Sequence, residues 1–129
     1  MIKTKKKFKY VDYLWDHKKA AALKDDQIEL FIYRSNLLGT DLRITNYGGG
    51  NTSCKTIEKD PLTKEKVEVM WIKGSGGDIG TLTRKGVAGL YTKRLRFLKN
   101  VYRGLKYEDE MVALYYHCLY DLDLSLIHI

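Results

Sequence analysis

Long apolar runs are missing from this sequence. No stretch approaches the roughly 20 residues a membrane-spanning helix needs, so a transmembrane reading is excluded. The lysines at the amino terminus are not followed by an apolar segment, so no secretory signal is expected and a cytoplasmic address is the default. Cysteine is scarce. Cys54 and Cys118 are too far apart for a CxxC metal site and too few for a disulfide framework, so both are read as free thiols. Proline occurs once, at Pro61, and histidine three times, at His17, His117 and His128, with no His-x-His pair among them. No G-K-[ST] follows a glycine run, which removes a P-loop.

An excess of one charge is present but local. Five lysines (Lys3, Lys5, Lys6, Lys7, Lys9) crowd the first ten residues, and removing them from the 23 basic residues leaves 18 against 16 acidic ones. The basicity therefore belongs to a tail, residues 1–9. A solvated terminus is the expected outcome, and nucleic-acid binding, which such a tail would serve, is given little weight. With 129 residues, 44% hydrophobic and 30% charged, the chain suits one soluble domain with one core.

Periodicity gives the elements. Val11, Leu14, Trp15, Ala21 and Ala22 suggest a short amphipathic helix between Tyr10 and Leu23. Asp26 followed by Glu29 reads as a capping box, and Ile28, Phe31, Ile32, Ser35 and Leu38 then recur at helical spacing. Gly39 is expected at the left-handed position that ends this helix. Thr52–Glu58 and Lys66–Ile72 read as a β-hairpin across a turn at Lys59–Lys64, with Pro61 in the turn. Val87–Tyr91 is a further strand candidate, weakened by Gly86 and Gly89. Lys93–Tyr102 and Glu108–Leu119 read as helices, with Leu95, Leu98, Val101, Met111, Leu114 and Tyr115 on their buried faces. The expected fold is α/β, with a mainly antiparallel sheet flanked by helices.

Two glycine-rich loops carry the chemistry. Asn46-Tyr47-Gly48-Gly49-Gly50-Asn51 precedes the first hairpin strand, and Lys73-Gly74-Ser75-Gly76-Gly77-Asp78-Ile79-Gly80 follows the second. Antiparallel pairing brings these outer ends side by side. Glycines let backbone N–H groups converge without a Cβ in the way, a nest that suits an oxyanion such as phosphate, and Asn51 and Ser75 add side-chain donors. One such loop alone would be read as a tight turn; two facing each other favour a site. The spacing G-x-G-x-x-x-G after a hairpin does not fit a dinucleotide fingerprint, which needs G-x-G-x-x-G in a βαβ unit.

These residues resemble a known family. Gly50-Asn51-Thr52-Ser53-Cys54-Lys55 is similar to the G-N-x-S-x-[KR] motif of the class II aldolase/adducin family, and Ile72-Lys73-Gly74-Ser75-Gly76 stands where those aldolases carry a Ser/Thr-Gly phosphate loop. Tyr33–Gly39, Trp71–Asp78 and Glu108–Val112 resemble one branch, the bifunctional rhamnulose-1-phosphate aldolase/lactaldehyde dehydrogenases. The resemblance runs from about Tyr10 to Leu122. It implies a three-layer α/β/α fold, of which residues 10–123 would be the amino-terminal part, truncated. It also implies zinc-dependent cleavage of rhamnulose 1-phosphate to dihydroxyacetone phosphate and lactaldehyde, in an enzyme that is a homo-oligomer when full length.

Carried over by position, Asn51, Ser75 and Gly76 would contact the substrate phosphate. Ser53, Lys55, Lys73, Gly74 and Gly77 would support it, Lys73 either adding charge or simply standing solvated at a strand end. The family's zinc ligands are histidines beyond the matched region, and a downstream dehydrogenase domain would use NAD, so no catalytic or metal-binding residue is assigned here. A non-catalytic, adducin-like binding module is the alternative. After Leu122 the resemblance stops, and Leu124-Ser125-Leu126-Ile127-His128-Ile129 reads like a translated sequencing-library transposon end, so residues 124–129 are expected to be an artefactual tail.

Overall fold

The computed structural model describes residues 12–74 and 76–121. The basic tail, Ser75 and the carboxy-terminal segment that includes 124–129 lie outside the described residues. The chain forms two compact units, one from Met1–Thr52 with Ser75–Arg84 and the other from Ser53–Gly74 with Lys85–Ile129.

In the first unit, helix α1 (His17–Ala22) is shorter than its apolar pattern suggests. The reason is Asp16, whose carboxylate accepts from the N–H groups of Lys18 and Lys19 and so fixes the start of the helix. Trp15 stays outside α1 and packs on Tyr33, ring centroids 5.2 Å apart. Leu14 is exposed, and α1 buries no residue.

Helix α2 (Gln27–Thr40) begins as expected, with Asp26 Oδ1 accepting from Glu29 N–H at 3.0 Å. Only half of the capping box forms, because Asp26 N–H donates instead to the carbonyl of Leu23. Ile28, Phe31, Ile32 and Ser35 are buried along one stripe, whereas Leu38 is exposed. Gly39 does not end the helix. It lies inside α2 and is buried, and a Cβ there would stand 2.1 Å from Gly80 N and 2.7 Å from Ile79 C. Close backbone approach, not a left-handed turn, is what requires glycine at this position.

The second unit is a four-stranded antiparallel meander in the order β1-β2-β3-β4. Strands β1 (Ser53–Lys59) and β2 (Lys66–Lys73) form the expected hairpin, with Ser53 opposite Ile72 and Lys59 opposite Lys66. Exposure alternates strictly along β1, as one solvated face requires. At the turn, Asp60 Oδ1 accepts from Leu62 N–H and Thr63 N–H, and Lys64 adopts φ +66°.

Strand β3 (Val87–Tyr91) forms despite its glycine. Gly89 is opposite Trp71, and a Cβ on it would meet the indole at 2.7 Å. The glycine is thus the partner of a buried tryptophan, not a weakness of the strand. Trp71 also donates from Nε1 to Thr56 Oγ1 at 2.7 Å, which satisfies its polar handle inside the core.

Helix α3 (Thr92–Val101) lies against β2 and β3. The last expected helix is the clearest departure. Helix α4 (Glu108–Leu114) stops early, tightens into a 3₁₀ turn over Tyr115–Cys118 and then enters strand β4 (Leu119–Asp121) beside β3. Tertiary contacts override helical periodicity here. Cys118 is buried, Arg94 Nη1 takes the carbonyl of His117 at 2.9 Å, and Tyr120 packs edge-on to Trp71 and Tyr91 while donating to Lys59 O. Of the expected buried faces, Leu95, Leu98, Met111 and Leu114 are half-buried, and Val101 and Tyr115 are exposed. The sheet and helices bear out the α/β reading.

Candidate functional site

The two glycine loops meet within the first unit. Ile79 N–H donates to Gly49 O at 3.1 Å, and Gly48 N–H donates to Asp78 Oδ1 at 3.1 Å. A third tie is steric, since Gly50, at φ +99°, presses its α-carbon towards the Ile79 side chain, where a Cβ would come within 2.9 Å. Ile79 is buried and forms the floor of the junction.

Helix α2 holds this junction from behind. Asn36 Nδ2 donates to the carbonyls of both Ile79 and Leu82, at 3.2 and 3.1 Å. Three residues on, Gly39 lets the Gly80 backbone rest directly on the helix. On the first loop's side, Ser35 Oγ donates to Phe31 O at 2.8 Å and lies 2.9 Å from Thr52 Oγ1. A serine hydroxyl has one proton, and it is spent on Phe31, so Thr52 must donate to Ser35. Thr52 Oγ1 then accepts from Arg34 Nη2 at 3.2 Å. The polarity runs one way, from Arg34 through Thr52 and Ser35 to the Phe31 carbonyl, and the Thr52 proton is committed to Ser35.

The arrangement decides which loop donors remain for a ligand. Gly48 N–H is taken by Asp78 and Gly49 N–H by Asn46 O, so these two glycines build the loop and do not line a nest. Among the described residues, the N–H groups of Gly50, Asn51, Gly76 and Gly77 have no protein acceptor, and neither does the Asn51 side-chain amide. Asn51, Gly76 and Gly77 are exposed. Gly76 has φ +88° with open space where a Cβ would stand. Backbone N–H groups without a protein acceptor are open to solvent or to an anion.

The other residues singled out in the sequence belong to the sheet unit. Ser53 and Lys73 stand at the same end of the hairpin, and Ser53 and Lys55 lie on the exposed face of β1. Lys73 Nζ donates to Gly74 O at 3.1 Å, and Gly74 N–H donates to Gly86 O at 2.8 Å. The Gly74 amide is therefore engaged in a bond at the strand end. Ser75 lies outside the described residues.

Sequence reasoning missed Asn36, Asp78 and the Arg34–Thr52–Ser35 relay as parts of the site. The available signal was polarity on an apolar stripe. Ser35 and Asn36 sit among Ile28, Phe31 and Ile32 on the inward side of α2, where a polar residue needs a buried partner.

Among the described residues, no group of three or more His, Cys, Asp or Glu is placed to hold a metal ion. His17 pairs with Tyr13 Oη at 3.3 Å, His117 is exposed, and His128 lies outside the described residues. The thiol of Cys118 is pushed up by burial, as expected of a packing cysteine rather than a reactive one. No described helix is long and apolar enough to cross a membrane.

Comparisons with known proteins bear on the fold. No family model matches the chain. A curated relative from Bacillus subtilis (strain 168), described as "Uncharacterized oxidoreductase YuxG", is 43% identical over 111 residues, 86% of this chain and 16% of that protein's length. A solved structure, the N-terminal class II aldolase domain of a conserved protein from Thermoplasma acidophilum, matches with a TM-score of 0.63 and 28% identity. That match covers 75% of this chain and 44% of the solved one. The chain thus spans less than half of the solved chain and about a sixth of the curated relative, and its fold is that of a class II aldolase domain.

Proposed function

We propose that this chain is the phosphate-gripping part of a class II sugar-phosphate aldolase. Asn51 and Gly76, with Ser75 of the second glycine loop, take the phosphate of a ketose phosphate, and Gly77 supports them. One observation carries the reading. Two glycine loops are tied together by Gly49–Ile79 and Gly48–Asp78, and Asn51, Gly76 and Gly77 are exposed with no acceptor for their N–H groups among the described residues. Gripping the phosphate fixes the reacting carbons relative to whatever group polarises them, which is how a remote binding group contributes to rate.

In the finer reading the ketose is rhamnulose 1-phosphate, cleaved to dihydroxyacetone phosphate and lactaldehyde in the cytoplasm by a homo-oligomer that uses zinc. The described residues do not fit a zinc site, so no step through the metal is derived from them. The relative's name, an oxidoreductase of much greater length, supports a fusion in which a separate NAD-dependent domain oxidises the aldehyde.

Calorimetric titration with dihydroxyacetone phosphate and with dihydroxyacetone tests the reading. The phosphorylated ligand should bind, the unphosphorylated one should not, and Asn51→Ala should weaken the former about tenfold, the value of one hydrogen bond to a charged group. Equal binding of both ligands, or of neither, would refute it.

A further inference from the structure

The loops that would hold a phosphate carry almost no charge of their own. Across residues 46–51 and 73–80 the ionisable carboxylates and amines are Lys73, whose Nζ is engaged with Gly74 O at 3.1 Å, and Asp78, which is negative. Backbone N–H groups alone grip an anion weakly beside a carboxylate, so the site calls for a cation. Arg43 is engaged elsewhere, with Asp41 at 2.9 Å and Asp12 at 3.2 Å. Lys18 and Lys19 lie in α1.

From these facts, and resting on the phosphate reading above, we infer that Arg34 is the cationic arm of the site and contacts the phosphoryl group directly. The guanidinium is exposed, and its Nη2 is anchored 3.2 Å from Thr52 Oγ1, one residue along the chain from Asn51. Thr52 is itself locked by Ser35, which is fully buried and bonded to Phe31 O. The Arg34 side chain also lies over the Phe31 ring, 5.3 Å from its centroid. The relay holds a flexible side chain in one place before a ligand arrives, which lowers the ordering cost of binding. A planar fork with five donors suits a tetrahedral dianion better than a lysine would. Its ligand class is a phosphomonoester, recognised by charge as well as by shape.

The structural alternative is that Arg34 merely braces Thr52. Nitrogen-edited NMR of the whole chain, with inorganic phosphate as the probe, separates the two. The Arg34 Nε–H signal, assigned by its loss in Arg34→Lys, should move along the same saturating curve as the amides of Asn51 and Gly76. Arg34→Gln should weaken phosphate binding about ten- to a hundredfold, as loss of a charge-assisted bond does, and should flatten its salt dependence. Arg34→Lys should be intermediate, and Thr52→Val, which removes the brace but keeps the charge, should lose less than Arg34→Gln. Loop amides that move while the Arg34 signal stays still would overturn the inference and leave the phosphate reading standing. Equal losses in Arg34→Gln and Thr52→Val would also overturn it. Loop amides that do not move at all would remove the phosphate reading on which it rests.

Discussion

Replacing Gly39 with alanine tests how the second glycine loop is held. The new Cβ would stand 2.1 Å from Gly80 N, 2.4 Å from Gly80 Cα and 2.7 Å from Ile79 C. All three are backbone atoms, so no rotamer change relieves the clash. Overpacking of this kind costs about 3 kcal/mol at the upper end of its usual range. Alanine returns about 1 kcal/mol through its better helix propensity. The net loss is therefore about 2 kcal/mol if the loop yields only slightly. Should the loop leave its seat, the two Asn36 bonds to Ile79 and Leu82 go as well, at about 1 kcal/mol each. With a urea slope of about 2 kcal/mol/M, the midpoint should fall by about 1 M or more. Gly77→Ala is the control. Nothing stands within 4 Å of its Cβ position, so its midpoint should be unchanged or slightly higher. Urea unfolding followed by circular dichroism reads both, and a Gly39→Ala midpoint at or above that of the unmodified chain would refute the close-approach reasoning.

In the sheet unit, Trp71→Phe should cost about 1–3 kcal/mol, because it removes the Nε1 bond to Thr56 and leaves that half-buried hydroxyl short of a donor; a thermal midpoint within a degree of wild type would count against this. Acid should destabilise the protein in a predictable direction. The Asp60 carboxyl is held below the usual carboxylate range by the backbone N–H groups of Thr63 and Leu62, Asp41 by its hydrogen bond to Arg43, and Glu110 by its bond to Arg103. Groups with depressed folded-state values contribute stability that is present above their unfolded pKa, about 4, and lost as pH falls through the folded one. Melting temperature should thus drop on acidification below about pH 4, and less steeply in Asp60→Asn; parallel curves for the two proteins would contradict the assignment.

The parts of this fold that were legible in the sequence are those decided locally. Asp26 and the Ile28–Phe31–Ile32–Ser35 stripe define α2 within a few residues, and the β-branched strands around Pro61 define the hairpin. The hairpin also supplied the argument that its flanking loops would meet, and the Gly49–Ile79 and Gly48–Asp78 bonds bear out that proximity. What stayed hidden depends on distant partners. Gly39 looks like a helix terminator until Gly80 is placed against it. The helix expected over Glu108–Leu119 reads as unbroken until Tyr120 finds Trp71, Tyr91 and the Lys59 carbonyl. Asn36 was part of a resembling segment, but its two carbonyl partners lie more than 40 residues away in sequence. Local rules cannot assign a donor whose acceptors come from another loop. The Gly74 N–H, which donates to Gly86 O, is another such case.

The most direct test of the account is a residue-resolved NMR titration of the chain with dihydroxyacetone phosphate. The account predicts that the amides of Asn51, Gly76 and Gly77 shift together along one saturating curve, while those of residues 1–9 shift little. Shifts confined to the lysine-rich residues 1–9, with the loop amides fixed, would contradict it and reduce phosphate binding to unspecific attraction by a basic tail.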